Sequence, residues 1–297
     1  MDGLIVVNKE KDYTSRDVVN IISKKLGTKK VGHAGTLDPI AEGVLVVVVG
    51  KCTKLSDYLT SDYKEYIAEF VLGYETDSLD VTGNVLKRSE KQVSEEEIVG
   101  VVNSFIGEYD QVVPKYSAVK INGKKLYDYA RNNEEVVLPS RIVDIKTIEI
   151  LSMGKVIKIK CTVSKGTYIR SLIRDIGEKL GTYATMTSLV RTKSGIFSIE
   201  NSFKLDDIKN DKYELISVEK IFDGYPKVEI NEEEYKKISN GNMLNNIYEK
   251  EYVLFYYKDK LISVYKEYEK SKIKPLLMVW SYFFIGVTIY NIVIIIV

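Results

Sequence analysis

Apolar positions along the chain fall into blocks whose spacing switches between helical and strand-like. Residues 3–7 are a short apolar run of strand length. Val18, Ile22 and Leu26 then recur at helical spacing behind Thr14, with Asp17 as an acidic form of the capping box and Gly27 as the stop. Residues 31–43 read as a loop punctuated by glycine. Residues 44–49, bounded by Gly43 and Gly50, read as a strand with both faces covered. Lys64–Leu72 alternates, with Tyr66, Ala68, Phe70 and Leu72 on one face, and residues 73–84 form a long polar loop. Ser94 and Glu97 make a second capping box, for a helix that carries Ile98, Val101, Val102 and Phe105 and ends at Gly107. Asn122-Gly123 predicts a tight hairpin turn. Residues 141–151 and 155–163 read as paired strands, and Ile169, Leu172, Ile173, Ile176 and Leu180 as the stripe of a helix stopped by Gly181.

Helices and strands mix without regular βαβ alternation, which predicts an α+β fold around a largely antiparallel central sheet flanked by helices. A length of 297 residues suggests about two domains. Gly224-Tyr225-Pro226 reads as a linker, so residues 1–223 are expected to form one domain. Residues 224–279, with short strands at 252–257 and 260–265, are expected to form a small β-rich module. From Pro275 onward no residue is charged. If the module closes near Val279, residues 280–297 are an apolar tail of uncertain role. As a helix it would span roughly 27 Å, against a hydrocarbon core of about 30 Å. Lys270, Lys272 and Lys274 precede it on what would be the cytoplasmic side. Its β-branched end also suits a strand or aggregation, and an extension with no role is the third reading. A membrane anchor is the less favoured reading, and the chain is expected to be cytoplasmic.

Hydrophobic residues make up 45% and charged residues 29%, which excludes a disordered or collagen-like chain. Forty-three basic and 42 acidic side chains leave a net charge of +1, so any attraction to nucleic acid must come from local patches. One such patch runs from Lys115 to Arg131. Lys115, Lys120, Lys124, Lys125 and Arg131 outnumber Asp128 there, and Tyr116, Tyr127 and Tyr129 interleave with them. A solvated helix-and-turn face accounts for the same pattern. The acidic runs at 95–97 and 232–234 read as solvated faces. Two cysteines, Cys52 and Cys161, exclude a disulfide framework and point to a reducing compartment, and a lone histidine removes His–His metal sites.

The loop at 32–43 carries the candidate chemistry. Gly32, Gly35 and Gly43 permit close approach or positive φ, and Asp38 precedes Pro39, which pushes it out of helical geometry. Its carboxylate is therefore either part of an Asx-type turn or aimed at a ligand. His33 alone reads more readily as a packing residue than as a ligand. No Gly-Lys-Ser/Thr follows, so a nucleotide P-loop is not indicated.

The run Gly32-His33-Ala34-Gly35-Thr36-Leu37-Asp38-Pro39-Ile40-Ala41-Glu42-Gly43-Val44-Leu45 resembles the signature of the TruB family, the tRNA pseudouridine-55 synthases. Further blocks follow in the family's order: Lys64-Glu65-Tyr66, the segment from Gln111 to Arg131, Ser164-Lys165-Gly166-Thr167-Tyr168-Ile169-Arg170, and Leu189-Val190-Arg191. The resemblance is strong from residue 3 to about 200 and weak beyond. One departure is Lys9-Glu10-Lys11-Asp12, where the family often has Lys-Pro-x-Gly.

The resemblance implies a pseudouridine-synthase catalytic domain followed by a PUA-like module. It implies isomerisation of a flipped-out T-loop uridine of tRNA, with Asp38 as nucleophile, Arg170 as its cationic partner and Tyr66 stacked on the base. Lys165 and Tyr168 at a helix start, Leu189 in the base pocket, and Gly32 and His33 beside the extruded nucleotide would bind substrate. Lys124 and Lys125 would contact phosphate. The reaction moves a base from nitrogen to carbon attachment, so it needs neither cofactor nor metal. The expected partner is the tRNA T-arm, without an obligatory protein partner. A non-catalytic tRNA-folding factor and a guide-RNA-dependent relative are the competing readings. Loss of residues 280–297 is expected to leave catalysis intact.

Overall fold

The computed structural model describes residues 1–60, 63–132, 134–269 and 271–279. The tail at 280–297, with the membrane reading attached to it, lies outside them, and so does Lys270. No helix among the described residues is long and apolar enough to cross a membrane.

A nine-stranded sheet forms the main body. Its strands run in the order Gly3–Lys9, Glu42–Val49, Ala184–Ser194, Lys64–Leu72, Ile157–Val163, Ser140–Ser152 and Gly107–Val112. Val31–Ala34 and Phe197–Ser198 pair off this path. Neighbours are antiparallel except Glu42–Val49 and Ala184–Ser194, which run parallel. The sheet is thus largely antiparallel, within an α+β fold. Along Lys64–Leu72 the buried residues Tyr66, Ala68 and Phe70 face Cys161, Ile159 and Ile157 in register. Helices Ser15–Lys25, Glu95–Asn103 and Ile169–Lys179 cover that face and share its core with Ile5, Leu45, Val47 and Val49.

A second sheet of five strands, in the order Lys227–Glu229, Tyr252–Tyr257, Lys260–Tyr268, Lys272–Met278 and Leu244–Asn245, makes the β-rich C-terminal module. Its Tyr252, Leu254 and Leu277 share a core with Leu4, Val6, Val44, Val46 and Val48 on the opposite face of the main sheet. Two cores therefore sandwich the run at 44–49, which is why it shows no alternation.

Local signals map directly onto local structure. The boxes Thr14–Asp17 and Ser94–Glu97 both close. A third, Asn231 with Glu234, heads the helix Glu232–Ser239, whose glutamates read in sequence only as a solvated run. Asn122 and Gly123 both hold positive φ (50° and 81°) between Lys120–Ile121 and Lys124–Lys125.

Part of the predicted loop at 31–43 is instead a strand. Val31–Ala34 pairs with Glu42–Val49 from Val31↔Val49 to Ala34↔Val46, so Gly32 and His33 sit in a ladder. The departure at residues 9–12 also has a geometry. Asp12 adopts φ 69° where the family pattern has glycine, and its N–H donates to the Pro39 carbonyl at 2.9 Å. Aspartate tolerates this region better than most side chains, at a cost glycine avoids. Asp12→Gly should hold stability within about 1 kcal/mol, whereas Asp12→Val should lose about 1–2 kcal/mol or more. Denaturant unfolding of both variants checks this; equal effects would mean that the turn does not demand the left-handed conformation.

Candidate active site

The Asp38 turn is held mainly through its backbone. Ala41 N–H donates to the Asp38 carbonyl (3.0 Å), closing the turn. Ser15 Oγ accepts from the Leu37 N–H (2.9 Å) and donates to the Leu37 carbonyl (3.1 Å). Beneath the turn lie two buried cations. The Lys9 ammonium donates to the carbonyls of Tyr13 (2.7 Å), Glu10 (3.0 Å) and Pro39 (3.3 Å). Arg191 Nε donates to the Val44 carbonyl (2.7 Å) and its Nη2 to the Gly35 carbonyl (3.1 Å), so one guanidinium grips both ends of the segment. Gly43 is needed here. It holds φ 97°, and a Cβ would lie 2.2 Å from the Arg191 carbonyl oxygen.

Arg170 enters from the first turn of Ile169–Lys179 and is 5% exposed. Its Nε lies 2.9 Å from Asp38 Oδ2, an ion pair rather than an aligned hydrogen bond. Nη1 donates to the Ser78 carbonyl (2.9 Å) and lies 3.6 Å from Asp80 Oδ2, while Nη2 donates to the Tyr116 carbonyl (3.0 Å). Asp80 is itself fixed through Oδ1, which accepts from Ser78 Oγ (2.8 Å), the Thr82 N–H (3.0 Å) and Thr82 Oγ1 (2.5 Å). The Asp38 side chain remains 34% exposed, so the pair presents one carboxylate to solvent from a buried cationic base.

That carboxylate lines a cleft of about 260 Å³. Six of the sequence-predicted residues meet there: Asp38, Tyr66, Lys165, Tyr168, Arg170 and Leu189. Tyr66 is 8% exposed and faces Arg191 across the sheet. Ser117 lines the same cleft, and its buried hydroxyl has no partner among the described residues. Gly32 and His33 do not line it; they lie on the adjacent strand. The His33 ring is held below its ordinary titration range by burial and by the nearby charges of Arg16 and Arg191, and its Nδ1 is buried without a partner among the described residues. Lys124 and Lys125 stand on the separate hairpin. Lys124 pairs with Glu134 at 2.5 Å and lies over the Tyr129 ring, while Lys125 lies over Tyr127. No cluster of His, Cys, Asp or Glu suited to a metal ion occurs among the described residues.

Sequence reasoning does not single out Lys9, Asp80 or Arg191 as site residues. Nothing local marks a lysine or arginine as fully buried, even where it stands beside or within a block that resembles the family. Asp80 lies in a stretch that reads only as polar loop.

Comparison with known proteins adds to this geometry. The family description "TruB family pseudouridylate synthase (N terminal domain)" matches residues 23–169, and "tRNA pseudouridylate synthase B C-terminal domain" matches 170–220. A protein named tRNA pseudouridine synthase B from Clostridium tetani is 44% identical over 94% of this chain and 100% of its own. Among solved structures, an H/ACA RNP bound to a substrate RNA containing 2′-deoxyuridine is 28% identical (TM-score 0.66, covering 93% of this chain and 83% of that one). A Cbf5–Nop10–Gar1 complex is 29% identical (TM-score 0.67, 92% and 83%).

Burial lowers the Lys9 ammonium to about 8. The unfolded chain then holds the proton up to about 10.5, so between those values unfolding takes up a proton. This group's burial cost is therefore complete below pH 8 and is relieved as pH rises toward 10. Relative to Lys9→Met, the wild type should gain stability over that window. Its pH–rate profile should show an inflection near 8 that Lys9→Met lacks. Unfolding curves and rates across pH 7–10 check both, and parallel profiles would place the proton elsewhere.

Proposed function

The chain belongs to the TruB family of pseudouridylate synthases, and from that premise we propose that it acts on the T-loop uridine at position 55 of tRNA, with Asp38 as the nucleophile. The broader activity, isomerisation of uridine to pseudouridine in tRNA, is that for which its relatives are named. One observation carries the assignment of the site. A single part-exposed carboxylate stands at the cleft wall, fixed by a buried arginine that has a second aspartate and two carbonyls as its other partners.

The chemistry asks for little else. The bond from uracil N1 to C1′ breaks, the bond from C5 to C1′ forms, and a proton leaves C5 while N1 gains one. No atom enters or leaves overall. Asp38 adds to the base or to the sugar carbon and leaves again, and Arg170 keeps it oriented and charged in a site closed by RNA. Tyr66 stacks on the base and is the candidate to take the C5 proton. Leu189 packs against the ring, and Lys165 and Tyr168 hold the flanking backbone at the helix start. The target must leave the T-loop stack, and His33, beside the cleft and uncharged at neutral pH, fills the gap it leaves. The same reading takes residues 1–223 as the catalytic domain and 224–279 as a PUA-like module. It places the enzyme in the cytoplasm, acting without a protein partner.

The full chain, incubated alone with a T-stem-loop transcript, should form pseudouridine at the single expected position. Asp38→Asn should bind the transcript as the wild type does and fall below about one-thousandth of its rate, the scale expected when a group required by the chemistry is removed. Product at another uridine would overturn the position, and turnover by a clean Asp38→Asn preparation would overturn the nucleophile. Replacing Lys124 and Lys125 together by Ala should weaken binding and reduce the salt slope by roughly one unit for each phosphate no longer neutralised, leaving the saturated rate near wild type. An unchanged slope would place the hairpin off the RNA.

A further inference from the structure

Gln111 is fully buried, yet both ends of its amide engage one backbone position. Its Oε1 accepts from the Tyr168 N–H at 2.8 Å, and its Nε2 donates to the Tyr168 carbonyl at 3.2 Å. Nε2 also donates to the Tyr109 hydroxyl, which donates to Asp175 Oδ2 at 3.4 Å. Tyr168 is the N-cap of Ile169–Lys179, and its own side chain caps nothing. Arg170 is the second residue of that helix. An amide that grips the cap residue from both sides fixes where the helix begins and the direction in which Arg170 leaves it.

The neighbouring residues tie the same two elements. The Val112 carbonyl accepts from Ser171 Oγ (2.9 Å) and from Arg174 Nη2 (3.1 Å). The chain then runs on to Tyr116, whose carbonyl holds Arg170 Nη2. The end of the strand Gly107–Val112 and the start of the helix are thus bound at two successive strand residues, although Gln111 and Tyr168 are 57 residues apart in sequence. Gln111 is not among the residues that line the cleft.

Resting on the reading above, we propose that Gln111 is a positioning residue for pseudouridine formation: its amide sets Arg170 at the separation from Asp38 on which the chemistry depends. A displacement of about 1 Å at a reacting group costs on the order of 100-fold in rate. A filler of equal volume would support the packing and fail in this role.

Gln111→Met keeps the length and removes both arms. Gln111→Leu likewise removes both arms with an apolar side chain of similar size. At saturating tRNA the single-turnover rate of Gln111→Met should fall about 100-fold, with tRNA affinity changed by less than about threefold. Hydrogen exchange of the Tyr168 amide, read on the protein alone, should accelerate. Gln111→Leu should show the same split between rate and affinity, and it stands in if Gln111→Met does not fold. A wild-type rate in either folded variant would overturn the proposal. So would a loss explained wholly by weaker tRNA binding, or unchanged Tyr168 exchange in Gln111→Met. Because exchange needs no substrate, inactivity of the unaltered chain on tRNA would count against the functional reading alone.

Discussion

Burial of the Arg170 guanidinium is the constraint around which the centre is organised. A cation this enclosed is tolerated only where fixed partners replace its water. Here they are two carboxylates and two carbonyls, from Asp38, Asp80, Ser78 and Tyr116. The two carbonyls lie 92 and 54 residues from Arg170 in sequence. No local segment can assemble them, so the pair forms only when the sheet is in register and the loops at its ends have closed. Losing one partner leaves the guanidinium buried and under-compensated, a larger penalty than the loss of a surface pair. The site is coupled in this way to the integrity of the whole domain.

The Asp38 loop obeys the complementary rule. Its backbone is held by Lys9, Ser15, Arg191 and the Asp12 amide, almost entirely through main-chain groups. The side chain is left to a single ion pair and to solvent. Holding the main chain while leaving the carboxylate open gives a group already oriented, which under the proposed function leaves little reorganisation when charge develops. The close approach of Gly43 to Arg191 extends this logic, because the parallel pairing there brings the loop's exit onto the strand that carries Leu189 and Arg191.

What the sequence disclosed follows the range of the forces involved. The capping boxes at Thr14 and Ser94, the Asn122-Gly123 turn and the alternation at Lys64–Leu72 depend on neighbours within a few residues, and each was legible; the box at Asn231 was hidden in its acidic run. Ala184–Ser194 was not legible. It lies between Glu42–Val49 and Lys64–Leu72, and its Thr185, Arg191 and Ser194 are buried polar residues that erase the pattern a half-buried strand would show. Val31–Ala34 was hidden for another reason: glycines that signal a loop also permit a short ladder. At the site, Asp38, Tyr66 and Arg170 could be named through the family resemblance. Asp80 and Gln111 act on a side chain or on backbone from a distance in sequence, and no local spacing encodes that; Lys9 also reaches the nearby carbonyls of Glu10 and Tyr13, yet nothing local marks it as buried.

The net charge of +1 conceals a division among the cations. Lys9, Arg170 and Arg191 are buried and turned toward carbonyls and carboxylates, so none of these projects much field into solvent. The outward cations near the cleft are of another kind. Arg141 lies over the ring of Tyr168, which lines the cleft, and Lys125 and Arg131 lie over Tyr127. A cation held against an aromatic ring stays available to phosphate and keeps the ring in place for stacking. Under the proposed function, a surface of this design binds RNA through a few placed groups rather than a broad attraction. That suits an isomerase, whose substrate and product carry the same charge and almost the same shape. A strong field would retain both alike and slow release, so discrimination has to rest on the fixed geometry of the cleft.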